Sequence, residues 1–192
     1  MKNHQIKKHF IQEEELLNDS YRLGVQIFNS GFKPTFVVGL WRGGSTVGIY
    51  VQECLQYLGL NMNHIAIRTS YRGLSHYDSM TKNPRDNIRV HGTHYLLENL
   101  NHDDRLLLVD DVCGSGHTLN VVLSRLQKRL KRNMPQEIKI ATVWNKPQKR
   151  VADIAPDFYV HETQDWLVLP YELTGLSNEE IASEKPFVAK RD

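Results

Sequence analysis

Leu106-Leu107-Leu108-Val109-Asp110-Asp111-Val112-Cys113-Gly114-Ser115-Gly116-His117-Thr118 is the stretch that decides how this chain is read. Four apolar residues make a short buried strand, an acidic pair marks its end, and two glycines let the chain turn. Leu119, Val122, Leu126 and Leu130 then recur at helical spacing. That is strand, glycine turn, helix. In open α/β sheets ligands bind at the carboxyl ends of the strands, which is where Asp110 and Asp111 fall. Backbone N–H groups of Cys113 to Thr118, the Ser115 and Thr118 hydroxyls and the following helix N-terminus can converge on a phosphate, with Gly114 and Gly116 allowing close approach. Read alone, the acidic pair is equally a turn with a helix N-cap. Two other nucleotide sites lack their key part. No Gly-x-x-x-x-Gly-Lys-Ser/Thr occurs in the chain, and the third glycine of a dinucleotide fingerprint would fall at Leu119.

Working outward, the same unit recurs. Thr35-Phe36-Val37-Val38-Gly39-Leu40 meets Arg42-Gly43-Gly44, after which Val47, Val51, Leu55 and Leu58 repeat at helical spacing. Strands are also expected at His64 to Arg68 and Ile138 to Trp144, and a leading helix at Gln12 to Asn29, stopped by Gly31 and Pro34. Buried strands alternating with amphipathic helices predict an α/β fold, a mainly parallel sheet flanked by helices on both faces. Ser177 and Glu180 form a capping-box pattern that opens a short terminal helix. From Thr69 to Arg89, roughly 20 polar residues show neither helix nor strand period, a length that in a compact domain is functional or disordered.

The chain has 192 residues, 40% hydrophobic and 24% charged, enough for one good core, so a single domain over residues 1–192 is expected. A net charge of +2 from 24 basic and 22 acidic residues gives no long-range field to gather nucleic acid or an anionic membrane. Lys128, Arg129, Lys131 and Arg132 read as a solvated helix end that complements the dipole. Two cysteines give no disulfide framework, and the polar start has neither a signal-peptide core nor a spanning run, so a cytoplasmic protein is expected. His91 and His94 lack a thiol or acidic partner at zinc spacing.

The central stretch resembles the binding motif for phosphoribosyl pyrophosphate (PRPP) of type I phosphoribosyltransferases. The resemblance implies that Asp110 and Asp111 engage the ribose hydroxyls directly or through magnesium. It assigns Cys113, Gly114, Ser115, Gly116, His117 and Thr118 to the 5′-phosphate. Gly39 to Gly44 is similar to the family's pyrophosphate loop, which implies Arg42 and Gly43 as ligands of the leaving group and a non-proline cis peptide at Trp41-Arg42. Trp144 to Pro147, Pro156 to Tyr159 and Trp166 to Glu172 look like the purine-binding hood of the hypoxanthine, guanine and xanthine enzymes. That hood would come largely from residues 145–175, with a possible N-terminal contribution. There Lys146 would donate to the purine O6, Trp166 would stack on the ring, and backbone near Leu167 would read the base edge. Ser70 and Tyr71 would open the mobile lid that excludes water from an oxocarbenium-like transition state. Mg²⁺ is the implied cofactor, with Asp110, Asp111 and Glu172 as candidate ligands, and a homodimer or higher homo-oligomer the implied assembly.

One position departs from the pattern. Where the hypoxanthine and xanthine enzymes usually carry an aspartate that contacts purine N7 as general base, this chain has Gly114. The expected activity is transfer of 5-phosphoribosyl from PRPP to N9 of a 6-oxopurine, foremost hypoxanthine. The competing expectation is a PRPP- or nucleotide-sensing regulator that keeps the loops and has lost turnover.

Overall fold

The computed structural model describes residues 8–71 and 88–188. The chain divides into two compact units, Leu17–Gln164 and a smaller one made of Met1–Leu16 with Asp165–Asp192. In chain order the elements are β1 (Lys8–Phe10), α1 (Glu13–Asn29), β2 (Phe36–Trp41), α2 (Gly43–Tyr57), β3 (Asn63–Tyr71), β4 (Ile88–His91), α3 (His94–Asn99) and β5 (Arg105–Cys113). There follow α4 (His117–Leu130), β6 (Glu137–Asn145), β7 (Phe158–Glu162), β8 (Trp166–Val168) and α5 (Asn178–Glu184), with 3-10 turns at Lys131–Asn133 and Pro147–Lys149.

The larger unit holds a six-stranded sheet in the order β4-β3-β2-β5-β6-β7. Only the β3–β4 pair is antiparallel. The central strands read as continuous apolar runs because both faces are covered, and Leu106 through Val109 are fully buried. One face packs on α4, whose Leu119, Val122, Leu126 and Leu130 are the four residues at helical spacing and all join the core. Each such buried side chain contributes about 1.5–3 kcal/mol. Asp19, buried on α1, accepts from Arg22 at 2.9 Å and lies 2.6 Å from His161 Nε2 on β7, so that the edge strand is tied to the helix by a polar pair. His161 in turn stacks on Trp144 at 5.9 Å.

Strand order reverses between β2 and β5. β2 leads to β3 on one side, and β5 leads to β6 on the other, with Phe36–Gly39 paired in register to Leu106–Val109. This is a topological switch point, and the two glycine turns read from the sequence leave adjacent strands at its carboxyl edge.

The smaller unit is a two-stranded parallel ribbon, Lys8–Phe10 on Trp166–Val168, followed by α5. Ser177 accepts from Glu180 N–H, and the Glu180 carboxylate accepts from Ser177 N–H at 2.8 Å, a complete capping box. Lys8 adds an ion pair to Glu180 at 2.7 Å.

Several elements differ from the sequence expectation. β5 does not stop before the acidic pair but runs through it to Cys113, since β6 offers ladder partners as far as Asn145. β7 forms an edge strand of the main sheet from residues assigned to the hood. The core of the proposed lid, including Arg72 and Gly73, lies outside the described residues, while its flanks pair as β3 and β4. No helix among the described residues is long and apolar enough to cross a membrane.

Candidate functional site

Two backbones must come close for this site to exist. The first turn of α2 rests on the end of β5, so that a Cβ at Gly44 would sit 2.3 Å from Val109 O and 2.7 Å from Asp110 Cα. Only glycine fits. The contact brings the Gly44 N–H to the Asp110 carboxylate as a donor. Gly39 makes the matching concession on β2, where a Cβ would meet Gly44 O at 2.8 Å. The role of Gly44 on the acid was missed at the sequence level, although the adjacent pair Gly43-Gly44 was its signal.

Asp110 and Asp111 are partly exposed at the end of β5. Each is fixed by its chain neighbour: Asp111 N–H donates to Asp110 Oδ1 at 3.0 Å, and Val112 N–H to Asp111 Oδ1 at 2.7 Å. Burial, reinforced by the charge of Asp111, holds the Asp110 carboxyl well above the ordinary aspartate range. Two crowded carboxylates with hard oxygen donors fit a divalent cation of the magnesium type, because the cation would offset the repulsion that raises Asp110.

The chain then turns. Gly116 has φ +76° and precedes the first residue of α4, His117, whose N–H donates to Ser115 Oγ at 3.4 Å. Its missing Cβ matters, since that atom would crowd Ile154 O and Ala152 Cβ at 3.2 and 3.3 Å. Gly114 is different: nothing lies within 4 Å of a Cβ built there. Behind the loop, Lys146 N–H donates to Cys113 O at 2.8 Å, and the N–H groups of Val151 and Ala152 donate to Ser115 O at 3.1 and 3.0 Å. Burial, the largest cause, pushes the Cys113 thiol up to about 11.

A cleft of about 190 Å³ opens at this point, lined by Asp110, Cys113, Gly114, Ser115, Gly116, Thr118, Lys146 and Lys149 among others. The structure thus gathers the acid, the glycine loop, Thr118 and the buried Lys146 into one place. Lys149 joins them without having been singled out, as a lysine in a polar turn carries no signal of its own. His117 is not among the lining residues, and its Nδ1 is buried without a hydrogen-bond partner among the described residues.

Arg42 and Gly43 stand at the end of the neighbouring strand, outside this lining, and the Trp41-Arg42 peptide is cis, as the resemblance implied. Ser70 lies on β3 with its Oγ 3.0 Å from His91 Nε2, and Tyr71 is the last residue of that strand. Trp166, Leu167 and Glu172 belong to the smaller unit. Trp166 is partly exposed at the start of β8, Leu167 is buried, and Glu172 accepts a hydrogen bond from Leu169 N–H at 3.0 Å. Among the described residues, no three His, Cys, Asp or Glu side chains cluster as metal ligands.

Such an arrangement can hold a phosphate on backbone amides and a helix N-terminus, and a polyol or a cation on the adjacent carboxylates. The chain is also similar to known proteins. Hypoxanthine-guanine phosphoribosyltransferase from Bacillus subtilis (strain 168) is 26% identical, covering 98% of this chain and 94% of its own. The enzyme of the same name from Lactococcus lactis is 24% identical over 95% of this chain and 90% of its own. Among solved structures, a purine phosphoribosyltransferase from Pyrococcus horikoshii has the same fold, with a TM-score of 0.63 at 24% identity over 88% of this chain and 97% of that one. A Neisseria gonorrhoeae protein with bound ppGpp aligns with a TM-score of 0.71 at 15% identity over 96% of this chain and 99% of that one. The phosphoribosyl transferase domain family matches residues 11–174, and with the acid pair and the glycine loop together on its fold, the chain belongs to that family.

Proposed function

We propose that the protein transfers 5-phosphoribosyl from PRPP to N9 of a 6-oxopurine, foremost hypoxanthine, releasing pyrophosphate and a nucleoside monophosphate. The observation that carries this reading is the placement of Asp110, Gly114, Ser115, Gly116 and Thr118 in one cleft at the switch point of the sheet, with Asp111 next to Asp110 on β5. The purine assignment rests on the named activity of the similar proteins and on Lys146 at the cleft wall.

In this reading the loop and the α4 N-terminus hold the 5′-phosphate and fix the ribose, while Asp110 and Asp111 face the ribose hydroxyls and balance charge that develops on the sugar. Arg42 and the Gly43 N–H receive the pyrophosphate. Lys146 donates to O6 of the base, and Trp166 supplies a ring to stack on it. Asp110 and Asp111 are the residues that would hold Mg²⁺, which when bound would supply charge neutralisation on the pyrophosphate. Ser70 and Tyr71 lead into a segment that would close over PRPP. A homodimer or higher homo-oligomer in the cytoplasm completes the reading, with sedimentation as the check on assembly.

The test is direct: purified protein, PRPP and Mg²⁺ are incubated separately with hypoxanthine, guanine and xanthine, and nucleotide and pyrophosphate are quantified. Equal yields of both products from at least one base are expected. No nucleotide from any of the three sinks the proposal. One observation favours a second reading. Gly114 places no carboxylate at the wall where a proton acceptor is expected, and a PRPP sensor needs none. Tight PRPP binding by calorimetry with no turnover would select it.

A further inference from the structure

The turn after β6 is not a loose connection. Its residues 146–152 are pinned at both ends to carbonyls of the phosphate loop, through Lys146 N–H to Cys113 O and through Val151 and Ala152 N–H to Ser115 O. Between those pins the turn is closed by its own bonds, Lys149 N–H to Lys146 O at 3.0 Å and Arg150 N–H to Pro147 O at 3.2 Å. A lysine on this turn is therefore carried at a fixed place relative to the loop. Lys149, at the exposed end of the turn, lines the same cleft as Gly114, Ser115, Gly116 and Thr118.

The loop itself brings no cation to that cleft. Its one basic candidate, His117, is not among the lining residues and has its Nδ1 buried. Backbone amides and a helix N-terminus provide only partial charges, equivalent to about half a unit, against a phosphomonoester that is close to a dianion. A lysine is suited to supply the remainder, since its ammonium is a compact charge on a flexible stem and needs no fixed fork geometry.

We propose that Lys149 is a ligand of the substrate's 5′-phosphate, supplying from the turn after β6 the positive charge that the loop lacks. The inference rests on the reading of the loop as a phosphoribosyl cradle. It predicts an effect on every ligand that carries a 5′-phosphate and none on pyrophosphate.

The test uses the full chain and ribose 5-phosphate as the probe, titrated by calorimetry against wild type, Lys149→Gln and Lys149→Arg, with magnesium pyrophosphate as the control ligand. Loss of a charged hydrogen bond corresponds to a weakening of about 10- to 100-fold. Lys149→Gln is expected to weaken ribose 5-phosphate binding by that factor, with the loss shrinking in high salt. Lys149→Arg should remain within about threefold of wild type, because the charge is kept. Pyrophosphate binding and the melting temperature should match wild type in both variants. If wild type does not bind ribose 5-phosphate, the cradle reading fails and this inference with it. If wild type binds and Lys149→Gln binds equally well, the cradle stands and the role of Lys149 is refuted. Equal weakening of ribose 5-phosphate and pyrophosphate also overturns it, because that is the mark of a general field and not of a ligand.

Discussion

Gly114→Asp puts a carboxylate where the purine enzymes usually have one, and the structure allows its cost to be worked out. No atom lies within 4 Å of a Cβ at this position, and the residue is not among the glycines with positive φ. Steric cost is therefore absent, and the lost freedom of the unfolded chain favours the fold by about 0.4–1 kcal/mol. The new charge shares the cleft with Asp110, Lys146 and Lys149. A pair of charges about 6 Å apart at an effective dielectric of about 20 interacts by roughly 3 kcal/mol, so one repulsion and two attractions leave the equivalent of one attraction, which solvent screening in an open cleft reduces to about 1 kcal/mol. The melting temperature should therefore rise by about 3–8 °C. A positioned general base is worth about 10² to 10⁴ in rate, and a residue without evolved support should recover the lower end, near 10² in kcat or about 2.7 kcal/mol of barrier. The assay is initial-rate nucleotide formation from hypoxanthine with saturating PRPP and Mg²⁺ across pH 6–9. A rise in kcat with a new acidic limb is expected. A folded variant whose kcat is unchanged or lower would show that residue 114 does not face purine N7.

Gly44→Ala should be far worse tolerated than Gly114→Ala, as its methyl would press on Val109 O and Asp110 Cα, backbone atoms that cannot rotate away. A loss of about 3 kcal/mol or more is expected by urea unfolding, and a loss under about 1 kcal/mol would contradict the close approach. Asp110→Asn should stabilise the metal-free protein in a pH-dependent way. Burial and the charge of Asp111 raise the folded-state pKa, so the folded chain binds more protons than the unfolded one. The wild-type stability is thus full below the ordinary aspartate range and falls as pH rises through the folded pKa. The variant's gain in melting temperature should be larger at pH 8 than at pH 4, and a reversed order would refute the assignment. Cys113, buried and with its thiol pushed up to about 11, should resist iodoacetamide in the native protein at pH 8 and react only on unfolding, as followed by mass spectrometry.

Much of the fold was legible because it rests on patterns that one sequence displays. The core face of α4 and the glycine turns after β2 and β5 are local signals, and their adjacency follows from parallel pairing at the switch point. β1, β7 and β8 were not legible. Each is three to five residues long and owes its conformation to a partner strand rather than to its own periodicity. The acids and the loop were readable from spacing, whereas Lys149 reached the cleft only through hydrogen bonds between residues 146–152 and the loop carbonyls. Contacts of that kind leave no periodic trace.

The pairing of Lys8 with Trp166 has a consequence for how the protein comes into being. A nascent chain is made from its N-terminus, and segments fold as they emerge. All strands of the main sheet lie between Phe36 and Glu162, so the glycine loop after β5 can be complete while β1 still waits for β8. A chain arrested before residue 166 would therefore carry the glycine loop on a complete main sheet and β1 without its partner, so that the smaller unit forms only after its second strand has been made.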